Sequence, residues 1–211
     1  YIIPTLATWN SVDEIDLSVL PNQFVLKWNH DSGSVVICKD KKTFDIENAK
    51  RKLAGGQRQN GFWYGREWPY KSVKPIIIAE KFMQETNSTS NDLADYKFFC
   101  FNGEPMYCQV IRDRSTAETI DFYDMKWILM PFVGLNPVAR NGLIPVARPA
   151  HLDEMIDICR KLADKAPFTR VDLYVINNKE YFGEITLYPA SGFGVFSPKE
   201  WDEKLGKLIN I

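Results

Sequence analysis

The sequence predicts an α+β fold whose sheets are mostly antiparallel. Asn102-Gly103 and Asn177-Asn178 each lie between two β-rich runs, which is typical of hairpins. Helical patterns alternate with these hairpins along the chain instead of joining parallel strands. A length of 211 residues allows one compact unit with two lobes.

Composition excludes several classes of protein. Hydrophobic residues make up 45% and charged residues 25%, which argues against disorder. The 26 basic and 27 acidic side chains give a net charge of -1, so there is no basic field to hold a nucleic-acid backbone. No segment approaches the roughly 20 apolar residues that a membrane span requires. We therefore expect neither a nucleic-acid partner nor a membrane span.

The cysteines and histidines point to reduced thiols and away from zinc. The four cysteines, Cys38, Cys100, Cys108 and Cys159, form no CxxC pair, and three of the four lie inside apolar runs. We expect buried thiols, as in a cytoplasmic protein. His30 and His151 are the only histidines, which argues against a zinc site.

Three β-rich runs in the first half predict strands. Residues 24–28 and 35–38 are short runs joined by a polar loop, which indicates a strand-loop-strand unit. Residues 76–79 form an apolar run that ends at Glu80 and suits a buried central strand.

A helix and a flap are predicted between these strands. Asp45 can cap a helix with Ile46, Ala49 and Leu53 on one face, and we expect Gly55-Gly56 to end it. Residues 57–70 combine aromatic side chains with glycines and arginines, which predicts a loop or flap.

The second half predicts two hairpins separated by a helix. The predicted hairpin strands are 96–101 with 105–111, and 168–176 with 180–187. Residues 113–148 give no clear pattern. A helical face is formed by Leu152, Met155, Cys159 and Leu162.

A final helix is predicted at the C-terminus. Ser197-Pro198-Lys199-Glu200 matches a capping box with proline at the first helical position.

Asp172 and Glu184 form a candidate metal site on the second hairpin. On an antiparallel pair, these two acids can lie opposite each other on one face. Facing carboxylates repel unless a cation lies between them, and oxygen ligands favour magnesium. The alternative is a pair of solvent-exposed acids on a polar hairpin face.

Residues 170–198, RVDLYVINNKEYFGEITLYPASGFGVFSP, resemble the C-terminal signature of D-alanine:D-alanine ligases in the ATP-grasp superfamily. The resemblance implies that Arg170 stabilises the transferred phosphate and the acyl intermediate. It implies that Asp172, Glu184 and Thr186 ligate magnesium, although Thr186 stands where those enzymes have asparagine.

The segment 24–34 resembles the nucleotide-binding lysine and phosphate loop of the same superfamily. The implied ligands of the nucleotide are Lys27 and the loop residues Ser32, Gly33 and Ser34. Because Asp31 adds a negative charge to this loop, we expect its side chain to point away from the phosphates.

Two further segments resemble the superfamily's adenine strand and its D-x-basic hairpin. The resemblance implies that Glu80 and the 81–83 backbone contact adenine, that Asp95 contacts ribose, and that Arg112 contacts the acyl phosphate or an acidic substrate. The implied nucleotide contacts also include Lys81, Phe82 and Lys97, the last of which would contact phosphate.

Residues 20–33, 66–83 and 95–105 resemble more narrowly the TupA-like ATP-grasp group, associated with teichuronopeptide and other bacterial surface-polysaccharide synthesis. The fold implied has two α+β lobes that grip the nucleotide between mostly antiparallel sheets. We expect residues 1–22 to be a remnant of an N-terminal region or linker, 23–82 the small lobe and 83–211 the large lobe.

The resemblance implies an ATP- and magnesium-dependent carboxylate-amine ligase that acts on small molecules, a sugar acid and an amino acid. Aromatic residues and arginines of the 57–70 segment suit a sugar acid, or else they pack a minor core. Further candidates for an anionic ligand are Arg114, Arg140 and Arg148. Two alternatives stay open: a glycosyltransferase of polysaccharide synthesis, and a non-catalytic nucleotide-binding module, which Thr186 and Asp31 would suit.

Overall fold

The computed structural model describes residues 1–31, 33–85, 93–113, 116–135 and 140–210. The chain divides into two compact units. The first comprises Ile3–Met83, and the second comprises Gln84–Ile211 together with Tyr1–Ile2. Both contain antiparallel sheets, so the predicted α+β class is confirmed.

The first unit is built on a four-stranded antiparallel sheet. In spatial order its strands are β1 (Thr5–Trp9), β4 (Ile77–Lys81), β2 (Phe24–Trp28) and β3 (Val36–Cys38). Side chains alternate along β2, so that Phe24, Leu26 and Trp28 are buried in the core. Val25 and Lys27 therefore lie on the other face of the sheet.

Residues 3–22 belong to this unit and not to a separate linker. Strand β1 pairs with β4 along the edge of the sheet. Ile15 and Leu20 are buried in the core beside Leu26. The sequence prediction of a remnant over 1–22 missed these contacts because the apolar residues are too widely spaced to show a strand or helix period.

Helix α1 (Ile46–Gln57) begins where the sequence predicts, since the Asp45 carboxylate accepts a hydrogen bond from the Asn48 N–H at 2.9 Å. Its predicted end is wrong, because the helix continues through Gly55 and Gly56. Residues 57–70, predicted as a loop or flap, are not an irregular loop. A short helix, α2 (Gly61–Gly65), and a 3-10 helix at Trp68–Ser72 occupy this segment.

The second unit is built on a five-stranded antiparallel sheet. In spatial order its strands are β10 (Lys179–Thr186), β9 (Phe168–Ile176), β5 (Asp95–Phe101), β6 (Glu104–Arg112) and β7 (Thr119–Asp124). Both predicted hairpins are confirmed. Asn102 and Gly103 turn one hairpin and Asn177 and Asn178 the other, all with positive φ.

Different elements pack against the two faces of this sheet. Helix α3 (Leu152–Ala163) packs Met155 and Cys159 against Phe98 and Val171 on one face. The opposite face carries Phe99 and Phe122, which contact a small layer near the C-terminus. That layer consists of β8 (Val133–Gly134), β11 (Phe196–Ser197) and α4 (Glu200–Gly206).

The predicted capping box is wrong. Ser197 lies in β11, and α4 begins only at Glu200, without a side-chain cap. Strands β7 and β8 were not predicted, because the 113–148 region has little alternation and many turn residues.

Two predictions from composition can be compared directly with the structure. All four cysteines are free and buried, as expected. Burial raises the pKa of Cys108 and Cys159, which keeps both as thiols. No described helix is long and apolar enough to cross a membrane.

Candidate active site

Asp172 on β9 and Glu184 on β10 are direct cross-strand partners. A bulge at Gly183 produces this pairing, because the register shifts by one residue between Phe182 and Glu184. In an unbroken ladder, Gly183 would face Asp172 and Glu184 would point to the other side of the sheet. The bulge therefore brings both carboxylates to one face.

Arg170 joins these carboxylates. Its Nε donates to Asp172 Oδ1 at 2.7 Å, and its Nη2 donates to Asp172 Oδ2 and to Glu184 Oε1, both at 2.8 Å. The same Nη2 lies 2.9 Å from Thr186 Oγ1. Burial acts to lower the pKa of Arg170, but the charges and hydrogen bonds of Asp172 and Glu184 outweigh it, and the pKa is raised.

Lys97 on β5 is the neighbour of Asp172 on its other side. Its Nζ contacts Asp172 Oδ2 and lies 3.8 Å from Asp95 Oδ2. Asp172 and Lys97 are only 1% and 7% exposed. Asp172 is therefore a buried anion between two cations, an arrangement that costs desolvation and is weak as a stabilising device.

The structure does not bring Arg112 to this cluster. Lys97 pairs with Gln109 on β6, and Arg112 is three residues further along the same strand, so the two basic side chains point to opposite faces. Arg112 Nη2 instead donates to Asp121 Oδ2 and to the Ile144 carbonyl, both at 3.0 Å. The structure therefore does not bring Arg112 together with Lys97 and Arg170, and its contact with an acyl phosphate or acidic substrate stays a prediction.

The acidic pair offers a set of donors that suits magnesium. Asp172, Glu184 and Thr186 present only oxygen atoms, the ligand type that this ion prefers. One carboxylate oxygen from each acid lies 2.8 Å from the same Arg170 nitrogen, so the two oxygens converge on one point that positive charge already stabilises. The Thr186 hydroxyl donates to Glu184 Oε1 at 3.0 Å, and its oxygen is on the same side.

A second group of predicted residues lies on the open face of the first unit's sheet. Lys27 Nζ forms an ion pair with Glu80 Oε2 at 2.7 Å. Lys27 pairs with Ile78 and Val25 pairs with Glu80 across β2 and β4, so all four side chains share this face. The result is an apolar surface with a cation and an anion beside it.

The backbone after Glu80 already forms a hydrogen bond within the first unit. The Lys81 N–H donates to the Pro4 carbonyl at 3.0 Å, so this N–H is not available to a base edge. Phe82, which follows the last residue of β4, is half-buried.

The loop after β2 packs against helix α1. Ser34 is buried and Gly33 is exposed, whereas the predicted ligand Ser32 lies outside the described residues, as does the candidate Arg114. A Cβ built on Gly56 would lie 2.1 Å from Ser34 Oγ and 2.4 Å from Asp31 Oδ2. The Asp31 carboxylate is thus turned toward α1.

Gly56→Ala is expected to displace this loop. The added methyl overlaps Ser34 and Asp31, and we expect a loss of about 1–3 kcal/mol in the free energy of unfolding. Urea denaturation measures this change. Gly55→Ala is the matched control, since its Cβ meets nothing within 4 Å, and it should stabilise the helix by about 0.5–1 kcal/mol. Equal effects of the two substitutions would contradict the predicted contact.

The aromatic segment exposes much of its ring surface, although Phe62 packs edge-on against Trp63 and Trp68. Trp63, Tyr64 and Trp68 are 68%, 78% and 62% exposed. Two cations lie over its rings, with Lys71 Nζ 4.3 Å from the Trp68 centroid and Arg66 5.9 Å from the Trp63 centroid. Exposed rings flanked by cations suit a ligand that has both an apolar face and negative charge.

Comparison with protein families identifies the relationship that these features suggest. A family model described as TupA-like ATPgrasp matches residues 1–210. The chain belongs to the TupA-like ATP-grasp family. A search of curated proteins gave no match.

A solved structure of another ligase shows that this TupA-like chain has the ATP-grasp fold. The D-alanine:D-alanine ligase of Bacillus anthracis, complexed with ATP, matches 99% of the chain with a TM-score of 0.51 and 18% identity. The match covers 58% of the ligase, so the chain spans less than two thirds of its length. The ATP-grasp ligase PsnB, complexed with its minimal precursor, Mg and ADP, is 12% identical with a TM-score of 0.47. This match covers 98% of the chain and 53% of the PsnB chain.

Sequence reasoning missed one residue that shapes the site of this TupA-like protein and one buried polar neighbour on the adjacent strand. Gly183 forms the bulge that turns Glu184 toward Asp172. An isolated glycine inside a strand pattern is the signal that could have revealed it. Gln109, only 2% exposed and paired with Lys97, was hidden because nothing local distinguishes it from a surface glutamine.

Proposed function

We propose that this protein is an ATP-dependent carboxylate-amine ligase that works through an acyl phosphate. The observation that carries the proposal is the convergence of Lys97, Arg170, Asp172 and Glu184 on one face of the second unit's sheet. Lys97 and Asp172 are buried and Arg170 is nearly so, an arrangement that costs desolvation and is best explained by chemistry. We further propose that Ile3–Met83 corresponds to the small lobe and Gln84–Ile211 to the large lobe of an ATP-grasp ligase.

Amide formation from a carboxylate needs a leaving group better than hydroxide. A substrate carboxylate oxygen attacks the γ-phosphorus, the bond to the bridging oxygen breaks, and ADP leaves. The amine nitrogen then attacks the acyl carbon, phosphate leaves, and the nitrogen loses a proton. No nucleophilic side chain is required.

Lys97 and Arg170 provide the positive charge for this transfer. Arg170 already holds Asp172 and Glu184 in position, so its guanidinium is preorganised. Asp172, Glu184 and Thr186 would hold Mg²⁺, which when bound supplies positive charge to the phosphate oxygens. Arg112 has no part in the proposal, because Asp121 and the Ile144 carbonyl engage it on the other face.

The open face of the first unit is the proposed nucleotide surface. A flat adenine can lie on Val25 and Ile78, with Glu80 at its edge. Lys27 would leave its ion pair with Glu80 to contact a phosphate. Among the predicted ligands Gly33 and Ser34, only Gly33 is exposed, so its backbone is the better placed to approach a phosphate.

The proposed substrates are an amino acid and a uronic acid or related sugar of bacterial surface-polysaccharide synthesis, joined in the cytoplasm. The exposed Trp63 and Trp68 support this choice, because sugar rings stack on aromatic faces. Arg66 and Lys71 add charge for a carboxylate.

ADP release measured with mixtures of uronic acids and amino acids tests the proposal. We expect release that requires both an acid and an amine, together with Mg²⁺. Nucleotide binding without release would identify a non-catalytic module instead. Consumption of a nucleotide sugar without ATP would identify a glycosyltransferase.

A further inference from the structure

We propose that His151, Glu154 and Glu180 form a binding site for a divalent transition-metal ion of the zinc class. The site lies where the first turn of α3 meets β10, and it does not depend on the proposed ligase activity. The two histidines of the sequence argued against zinc. The structure nevertheless places His151 beside Glu154 and Glu180. Glu180 is far from His151 along the chain, and nothing in the sequence marks either glutamate as its partner.

The ligand atoms lie close enough to share an ion. One atom from each residue is within 4.8 Å of the other two. His151 Nδ1 lies 2.8 Å from Glu180 Oε1 and 3.7 Å from Glu154 Oε2. Ligands about 2.1 Å from a tetrahedral zinc are about 3.4 Å apart, so small side-chain shifts suffice.

Glu180 is the observation that points to a ligand. It is only 3% exposed, and its Oε1 has no hydrogen-bond partner of acceptable geometry among the described residues. The contact with His151 Nδ1 is therefore a close approach of two ligand atoms and not a well-formed hydrogen bond. A buried carboxylate oxygen is stabilised by a nearby positive charge, which an ion bound between Glu180 and His151 would supply.

The surroundings suit metal coordination through His151 Nδ1. The other ring nitrogen, Nε2, lies 3.0 Å from the side-chain amide of Asn178. Rotation of that amide by half a turn lets its oxygen accept the Nε2 proton, which leaves Nδ1 free to ligate. The Tyr1 hydroxyl donates to Glu154 Oε1 at 2.6 Å and leaves Oε2 directed at the site.

The site is separate from the proposed magnesium site. Glu180 pairs with Val175, whose side chain packs with the core under α3, whereas the bulge turns Glu184 to the opposite face. The nitrogen ligand also distinguishes the two sites, because imidazole suits zinc and an all-oxygen set suits magnesium. A bound ion would tie the second hairpin to the start of α3.

Equilibrium dialysis of the full chain with ZnCl₂, in millimolar MgCl₂, tests the proposal. We expect about one zinc per chain, and a dissociation constant raised by about 10- to 100-fold in His151→Gln, Glu154→Gln and Glu180→Gln. Zinc should also raise the Tm of the unsubstituted chain and leave that of His151→Gln unchanged. Circular dichroism establishes that each variant is folded.

Two controls and one alternative outcome make the test decisive. His30→Gln removes the other histidine, which lies in the first unit, and should bind zinc normally. Glu184→Gln removes a carboxylate of the proposed magnesium site and should also bind normally. The proposal would be overturned if the unsubstituted chain bound no zinc. It would also be overturned if Glu154→Gln, which changes an exposed residue, bound zinc as tightly as the unsubstituted chain. Either result would identify the contact between His151 and Glu180 as an ordinary ion pair.

Discussion

Glu184→Gln is expected to lower the rate of ADP release with acid and amine by about 100-fold or more while the protein stays folded. Glutamine has nearly the same shape, and its oxygen can still accept the hydrogen bond from Arg170 Nη2. What is lost is the negative charge beside Asp172 that the proposed magnesium site requires. The side chain of Glu184 is 56% exposed, so the substitution leaves no buried charge unpaired.

The rate of ADP release as a function of Mg²⁺ concentration measures this effect, and urea denaturation measures the fold. Glu104→Gln is a matched control, because Glu104 is another exposed glutamate on a strand of the second unit and accepts a hydrogen bond from Arg160 Nε at 2.8 Å. We expect its turnover to be unchanged. Full turnover in Glu184→Gln would reject the proposed role of this carboxylate.

The hairpins were predictable because local chemistry determines them. Asn102-Gly103 and Asn177-Asn178 tolerate the positive φ that tight turns need, and β-rich runs flank both. The N-terminus of α1 was predictable for the same reason, since Asp45 caps it locally. Strand β7 was not predicted because it is stabilised by pairing with β6, which is 7 or more residues away along the chain. No turn motif between the two strands signals this pairing in the sequence.

The candidate site was predictable as a set of residues but not as a geometry. Resemblance indicated Asp172 and Glu184, yet their shared face depends on the bulge at Gly183. The position of Arg112 also depends on geometry that the sequence does not reveal. Resemblance also indicated Arg112 as a site residue, but the strand period of two and the register of β5 with β6 place Arg112 and Lys97 on opposite faces.

The Gly55-Gly56 pair shows why glycine alone is an ambiguous signal. Two glycines favour the end of a helix on propensity, at about 1 kcal/mol each relative to alanine. Helix α1 nevertheless continues through them. The structure gives Gly56 a different role, because the loop after β2 approaches the helix too closely there for any side chain.

Asp172→Asn is expected to lower the free energy of unfolding by about 3–5 kcal/mol, because Lys97 and Arg170 lose the buried carboxylate that they share. Asp172 is 1% exposed, receives two hydrogen bonds from Arg170 and contacts Lys97. Urea denaturation measures the loss. Asp153→Asn is the matched control, since Asp153 pairs with Arg148 but is 85% exposed, and we expect no measurable change.

A second substitution distinguishes an unpaired charge from simple loss of packing. Adding Lys97→Met to Asp172→Asn removes one of the uncompensated cations, so the double variant should recover part of the lost stability. Additive losses would mean that Lys97 and Asp172 do not act as a pair. A methionine in place of Lys97 can fill the core but cannot stabilise a developing negative charge. We therefore expect the double variant to recover stability without recovering ADP release. That result would show that the charged cluster lowers the stability of the fold and serves the transfer of phosphate.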